Sequence, residues 1–367
     1  MMAASEAVQR PPHARLMVVD ATGWISDQPR SAFVTFLRRG DLVVANDAAT
    51  LPASLPGVHL PSGSPIEVRL AGRGSLSPDD VRDFSAIIFG TGDFRTPTED
   101  RPMPPPLSPG DKLALGPLSA TVRRVLDHPR LVSLDFEGAS DTIWAGIAGH
   151  GRPIQYAHVP APLALWDVWT PIAGPPVAFE PPSAGFALDW QVLAKMRSRG
   201  ADFATITHAA GISSTGDPEL DLRLPFDEPY RIPNPTAVAI REAKARGGRI
   251  VAIGTTVVRA LEHAAACGQV YAGEGVATER IGAGSRLRVV DAILSGTHEP
   301  GTSHYELLRA FLDDSVLRRV TAELEAHRYR THEFGDSVLV TRFPTRLPRE
   351  EKIWQTPELA IGKPLFA

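Results

Sequence analysis

Apolar and polar positions change period several times along the chain, and each change predicts a different kind of element. LMVVD at 16–20, SAFVTFLRRG at 31–40 and DLVVAND at 41–47 predict a strand, a short helix ending near Gly40, and a second strand entering Asn46 and Asp47. From about Ser62 to Pro160 the runs become short and alternating: PIEVRLAG, FSAIIFGTG, KLALG, SATVRRVLD and LVSLDFEG, parted by Gly, Pro and Asp turns. That spacing predicts a small all-β barrel. MPPPLSPGDKLAL, with prolines ahead of a PGD turn, reads as a connection between two of its strands.

Helical periodicity returns after Pro162. WQVLAKMRSRG ends on a glycine stop signal, ADFATITH reads as a strand, and PTAVAIREAKARGG reads as an amphipathic helix begun by proline. RIVAIG and RLRVVDAILS follow as strands, SHYELLRAFLDDSVLRRVTAELEAHRYR as one or two helices, and SVLVTRF as a closing strand. The expected fold is therefore a mixed α/β main domain, residues 1–62 and 161–367, carrying an inserted small antiparallel β-barrel at 63–160. No internal repeat is visible.

Composition narrows the class. At 367 residues the chain is long enough for two domains, and its 43% hydrophobic and 22% charged residues are those of an ordinary globular protein. No apolar run approaches a membrane span, so no membrane partner is expected. The single cysteine, Cys267, excludes an internal disulfide and any cysteine-based zinc site, which fits a cytoplasmic protein. MMAASEAVQRPPHAR lacks an apolar signal core and reads as a short flexible lead. A formal charge of −4 gives no overall attraction to nucleic acid.

The richest chemistry lies in RIVAIGTTVVRALE at 249–262. A strand that is buried on both faces ends at Gly254, and Thr255 or Thr256 can cap a helix with apolar positions at Val257, Val258 and Leu261. The free N–H groups of such a helix start attract a carboxylate or phosphate, and Arg259, a turn further on, can add a fork of donors. The alternative is a capped core helix with Arg259 and Glu262 as a surface pair.

Six blocks in order resemble the S-adenosylmethionine:tRNA ribosyltransferase-isomerases of queuosine biosynthesis: RGDLVVANDAATLPASLPG (39–57), SPGDKL (108–113), PPSAGF (181–186), AKARGGRIVAIGTTVVRALE (243–262), RVVDAILSGTHEPGTSHYELLRAF (288–311) and YRTHEFGDSVLV (329–340). The resemblance implies an α/β domain with an inserted barrel. It also implies transfer of the ribosyl group of S-adenosylmethionine, a co-substrate, to the aminomethyl nitrogen of a 7-deazaguanine base in tRNA. Epoxyqueuosine forms, adenine and methionine leave, and no metal is needed.

Residue by residue, the resemblance assigns Gly254, Thr255, Thr256 and Arg259 to gripping an anionic group, and Ser183 and Gly185 to a small-residue loop that a ligand can approach closely. Asn46 and Asp47 suit a purine or ribose edge, with turn chemistry as the alternative. His298, His208 and Asp336 are the candidate acid–base and ribose-orienting groups, and Arg330 joins them as a binding residue.

The chain departs from the family at several of these places. Ala187 and Phe226 stand where the family has histidines, which removes proton-transfer capacity; Gly301 replaces a lysine; Ala49 and Ser54 replace arginines that would grip phosphate. Arg123, Arg124 and Arg130 in the barrel segment are candidates to compensate. Two further readings thus stay open: an enzyme of the same fold with a small-molecule acceptor, and a silent binding paralogue.

Overall fold

A computed structural model of the chain describes residues 1–343; the remaining 344–367 of the expected main domain lie outside the described residues. Its centre is a nine-stranded sheet in the order Gly273–Ala277, Glu228–Ile232, Asp202–His208, Leu42–Asn46, Ile250–Ile253, Ala292–Gly296, Ser337–Thr341, Arg15–Val19, Ile25–Pro29. The four central strands, Asp202–His208 through Ala292–Gly296, run parallel. Leu42–Asn46 and Ile250–Ile253 are buried at every residue, as expected of parallel strands covered on both faces.

The covers differ. Helices Asn234–Ala245, Thr255–Ala264 and Asp314–Ala326 bury Ile240, Leu261 and Leu317 on one face. The 3-10 helix Arg30–Phe36 and the helix Trp190–Ser198 bury Phe33, Val34 and Met196 on the other. Because the central strands are parallel, their carboxyl ends, Asn46, His208, Ile253 and Gly296, open on one edge of the sheet, where ligands of such folds bind.

Six antiparallel strands close into a barrel: Ser54–His59, Ser64–Gly72, Asp83–Phe89, Lys112–Leu115, Leu118–Val125 and Leu131–Phe136. Inward residues such as Val68, Leu70, Ile88 and Leu134 fill it, and Phe84 meets Phe136 edge-on at 5.6 Å. The first strand starts at Ser54, before the expected segment; SLPGVH lacks the alternation that marks the other five. The helix Ser140–His150 was not expected in an all-β segment. It plugs the barrel with Ile143 and Ile147.

The N-terminal lead is not the flexible tail its composition suggests. Met2–Ala3 pairs with Arg330–Thr331 in parallel, Ala4 is buried, and the Gln9 amide donates to the carbonyls of Asp167 and Trp169 at 2.9 and 2.8 Å. No described helix is long and apolar enough to cross a membrane.

Candidate functional site

A cleft of about 620 Å³ lies at the carboxyl edge of the sheet, and a second lobe of about 480 Å³ continues from it toward the barrel. The lobes share Glu180, Ser183, His298 and His304. Of the residues expected from sequence, Ser183, Gly254, Thr255, Thr256, Arg259 and His298 meet here. His208, Asn46, Asp47, Gly185, Asp336 and Arg330 do not line it.

The start of the helix Thr255–Ala264 is built differently from the threonine cap suggested by sequence. Gly254 is the capping residue, with φ 92° and ψ 159°, and no side chain bonds to the first turn. Only glycine settles readily in that backbone region, and a Cβ there would also press within 3.4 Å of Ala184 Cβ. The uncapped N–H groups are left for a ligand beside the turn that carries Ser183.

Beneath this junction the charges are internally satisfied. The Arg259 guanidinium is 4% exposed and donates to Glu228, to the carbonyls of Phe226 and Ala277 at 3.1 and 2.9 Å, and to that of Glu279 at 3.3 Å. The expected free fork is therefore closed: Arg259 forms cleft wall by holding Glu228. Burial pushes Glu228 up, but Arg259 and then His208 outweigh it and hold its carboxyl below the ordinary value. Glu262, expected as a surface partner, is buried and accepts from the backbone N–H groups of Arg288, Val289 and Val290.

His208 has no exposed surface; its Nδ1 donates to the Thr256 carbonyl at 2.7 Å, and its Nε2 lies 2.9 Å from Glu228 Oε2. It ties the helix start to the buried ion pair and is out of reach of a ligand. Asn46 in turn brackets the His208 backbone, accepting from its N–H and donating to its carbonyl, both at 2.9 Å. Asp47 accepts from the Thr205 and Thr207 hydroxyls. Gly185 packs against Thr170, where a Cβ would lie 3.0 Å from Cγ2.

Asp336 is 3% exposed and accepts from the backbone N–H groups of Arg15 and Arg330 at 2.9 and 2.8 Å. Its carboxyl fastens the strands Arg15–Val19 and Arg330–Thr331. The Arg330 side chain lies 3.9 Å from it.

The second lobe contains groups that sequence reasoning passed over. His298 stacks on His304, ring centroids 4.4 Å apart; Tyr156, His158 and His332 form a second near-parallel series at 6.1 and 4.3 Å. Burial, then neighbouring His304 and His332, push His298 well below its ordinary value, and burial lowers His304 too, so both rings are uncharged at neutral pH. Glu180 is 7% exposed. Burial, reinforced by the charge of Glu333, raises its carboxyl to about 7 against the hydrogen bonds of Ser213 and Tyr156. The Tyr156 hydroxyl donates to Glu180 Oε1; burial and that carboxylate push the phenol well above its ordinary value, so it stays a donor. FEPPS at 179–183, a lone acid ahead of two prolines, was the available signal.

Donor atoms of His158, His332 and Glu333 lie within 4.8 Å of one another, with His158 Nε2 3.1 Å from Glu333 Oε2. The two rings stack only 22° from parallel, so their in-plane lone pairs run side by side and do not converge as metal ligation requires.

One departure, Gly301, lines the first lobe of the cleft; the others fall away from it. Ala187 packs in the core beside Leu188, and Phe226 packs on Ile212 and Leu224. Ala49 is buried, and Ser54 donates to Glu67 at 2.8 Å. Of the barrel arginines, Arg130 is buried and donates to the Arg101 carbonyl, and Arg123 pairs with Asp83.

The family model described as "Queuosine biosynthesis protein" matches residues 1–340. The chain is 32% identical over 335 residues to the S-adenosylmethionine:tRNA ribosyltransferase-isomerase of Citrifermentans bemidjiense, covering 89% of this chain and 92% of that protein. To the protein of that name from Azoarcus sp. it is 34% identical over 336 residues, covering 90% and 91%. Among solved structures, the S-adenosylmethionine tRNA ribosyltransferase of Thermotoga maritima is similar at a TM-score of 0.48 and 24% identity, over 92% of this chain and 96% of that one.

Proposed function

The chain belongs to the queuosine biosynthesis protein family, and from that premise we propose that it is an S-adenosylmethionine-dependent ribosyltransferase-isomerase. It moves the ribosyl group of S-adenosylmethionine onto the aminomethyl nitrogen of a 7-deazaguanine base in tRNA, giving epoxyqueuosine, adenine and methionine. The reaction takes place in the cytoplasm. Besides the family, one observation carries the reading: an uncapped helix start at the carboxyl edge of a parallel sheet, inside a cleft of about 620 Å³.

The methionine carboxylate sits on the N–H groups of Thr255 and Thr256, with Ser183 beside it, and Gly254 allows the close approach. Asn46, His208, Glu228 and Arg259 hold this junction rigid from below. His298, uncharged and at the meeting of the lobes, is the base for the acidic carbon next to the sulfonium. The sulfonium supplies the electrophilic activation, so the chemistry calls for no metal.

The test is to incubate the protein with S-adenosylmethionine and either tRNA bearing 7-aminomethyl-7-deazaguanine or the free base, and to measure adenine and methionine. Release with tRNA is the expected result. Release with the free base alone points to a small-molecule acceptor, and binding without release to a silent paralogue.

A further inference from the structure

The two lobes differ in charge. The first sets Arg259, Arg280 and the free helix start among Glu180, Asp221, Glu228 and Glu306; the second is lined by Glu99, Glu180, Glu299 and Glu333 and, among the described residues, by no lysine or arginine. Such a lobe repels phosphate and attracts a cationic amine. Its aromatic groups stack in one column: Tyr156 and His158 lie 8° from parallel, and His158 and His332 22°. The column ends in His332, whose side chain is 40% exposed and on which a planar heteroaromatic ligand can stack.

Resting on the function proposed above, we propose that this lobe takes the acceptor base and that Glu180 binds its aminomethyl group and removes the proton that must leave before the nitrogen can attack. Glu180 stands where the lobes meet, so an amine held there faces the co-substrate across His298 and Ser183. The Tyr156 hydroxyl fixes the carboxyl through Oε1, and Tyr156 is itself held from the barrel side, with the Arg69 guanidinium 5.6 Å over its ring.

In the step itself, one N–H bond of the ammonium breaks, its electron pair stays on nitrogen as the attacking lone pair, and the proton moves to a Glu180 oxygen. A carboxylate and an ammonium become a carboxylic acid and an amine, which a desolvated site favours. The charged and titratable groups facing Glu180 are Tyr156 on one side, Glu333 with its partner His158 on another, and His298 with His304 across the cleft. Glu333 is held below the ordinary carboxylate value: burial raises it, but the hydrogen bond and charge of His158 outweigh this, so it remains an anion that helps hold the amine.

The experiment compares the full chain with Glu180→Gln, Glu180→Asp and Tyr156→Phe. Two quantities are read: kcat/KM for adenine release across neutral pH, and calorimetric binding of free 7-aminomethyl-7-deazaguanine and of S-adenosylmethionine. In the unaltered chain the rate should fall on the acid side with a midpoint at about 7. Glu180→Gln should lose about a hundredfold in rate together with that midpoint, and bind the free base about tenfold more weakly at unchanged S-adenosylmethionine affinity. Glu180→Asp should recover part of the rate with a displaced midpoint, and Tyr156→Phe should displace it without abolishing it. An unchanged acid limb in Glu180→Gln, or equal binding of the free base, overturns the inference. Failure of the proposed function looks different: the unaltered chain then releases no adenine with either acceptor, and the comparison of base binding still decides the role of Glu180.

Discussion

The two halves of the cleft bury ionisable groups in opposite ways. Under the helix start, Arg259 and Glu228 form a buried ion pair, with backbone carbonyls taking the rest of the guanidinium and the His208 Nε2 2.9 Å from the carboxylate. In the second lobe, burial drives Glu180, His298 and His304 toward their neutral forms, and at His304 it outweighs the charges of Glu228 and Glu333. The first arrangement makes a rigid mount. The second brings Glu180 near the proton affinity that transfer at neutral pH needs, and stability is given up to do so.

Breaking the mount should have the largest effect. Glu228→Ala strands a buried guanidinium, and denaturant unfolding should show a loss of about 3–5 kcal/mol, where the same kind of change in the second lobe should not. A smaller loss at Glu228 would mean that water reaches Arg259 and that the two halves are not so different.

The opposite sign is expected at Glu180. Its folded-state pKa, about 7, lies above the ordinary 4.5, so between those values the native state holds more protons than the unfolded chain, and stability contributed by this group falls as pH rises through that window. Glu180→Gln removes the penalty. At pH 8 the variant should be more stable than the parent by on the order of 2 kcal/mol, with the gain vanishing toward pH 4, as pH-dependent denaturation would show.

Gly254→Ala probes the junction itself. Placing a side chain at φ 92° should cost about 1–2 kcal/mol, and the displaced helix start should weaken S-adenosylmethionine binding measured by calorimetry. The smallest effect is expected from Thr302→Ala. Thr302 caps the short helix Ser303–Leu308 by accepting from Tyr305 N at 3.3 Å, and its loss should cost about 0.5–1 kcal/mol. Since that helix carries His304, the pH profile of adenine release should shift although overall stability hardly changes.

Much of this molecule was legible before its structure, and the reason is periodicity. Buried parallel strands such as LVVAN and IVAI, the amphipathic helix after Pro235, and five of the six barrel strands announce themselves by which positions are apolar. Ser54–His59 and Glu228–Ile232 do not, because proline and charged residues interrupt them and their partners decide their place. The cleft was legible at Gly254–Thr256, Ser183 and His298, where a strand end or turn exposes the residue. Sequence could not show that Arg259, His208 and Asp336 would spend their bonding capacity inward, since that depends on Glu228, Thr256 and Arg15, 31, 48 and 321 positions away. Nor could it show that Glu180, His304 and His332 would converge from two loops and a short helix.

The pairing of Met2–Ala3 with Arg330–Thr331 has a practical side for anyone handling this enzyme. The residues directly after that bridge are His332 and Glu333, which border the second lobe of the cleft. An affinity tag joined ahead of Met1, or a protease that clips the first few residues, therefore acts on the same short segment that lines that lobe, and purification handles are better placed elsewhere.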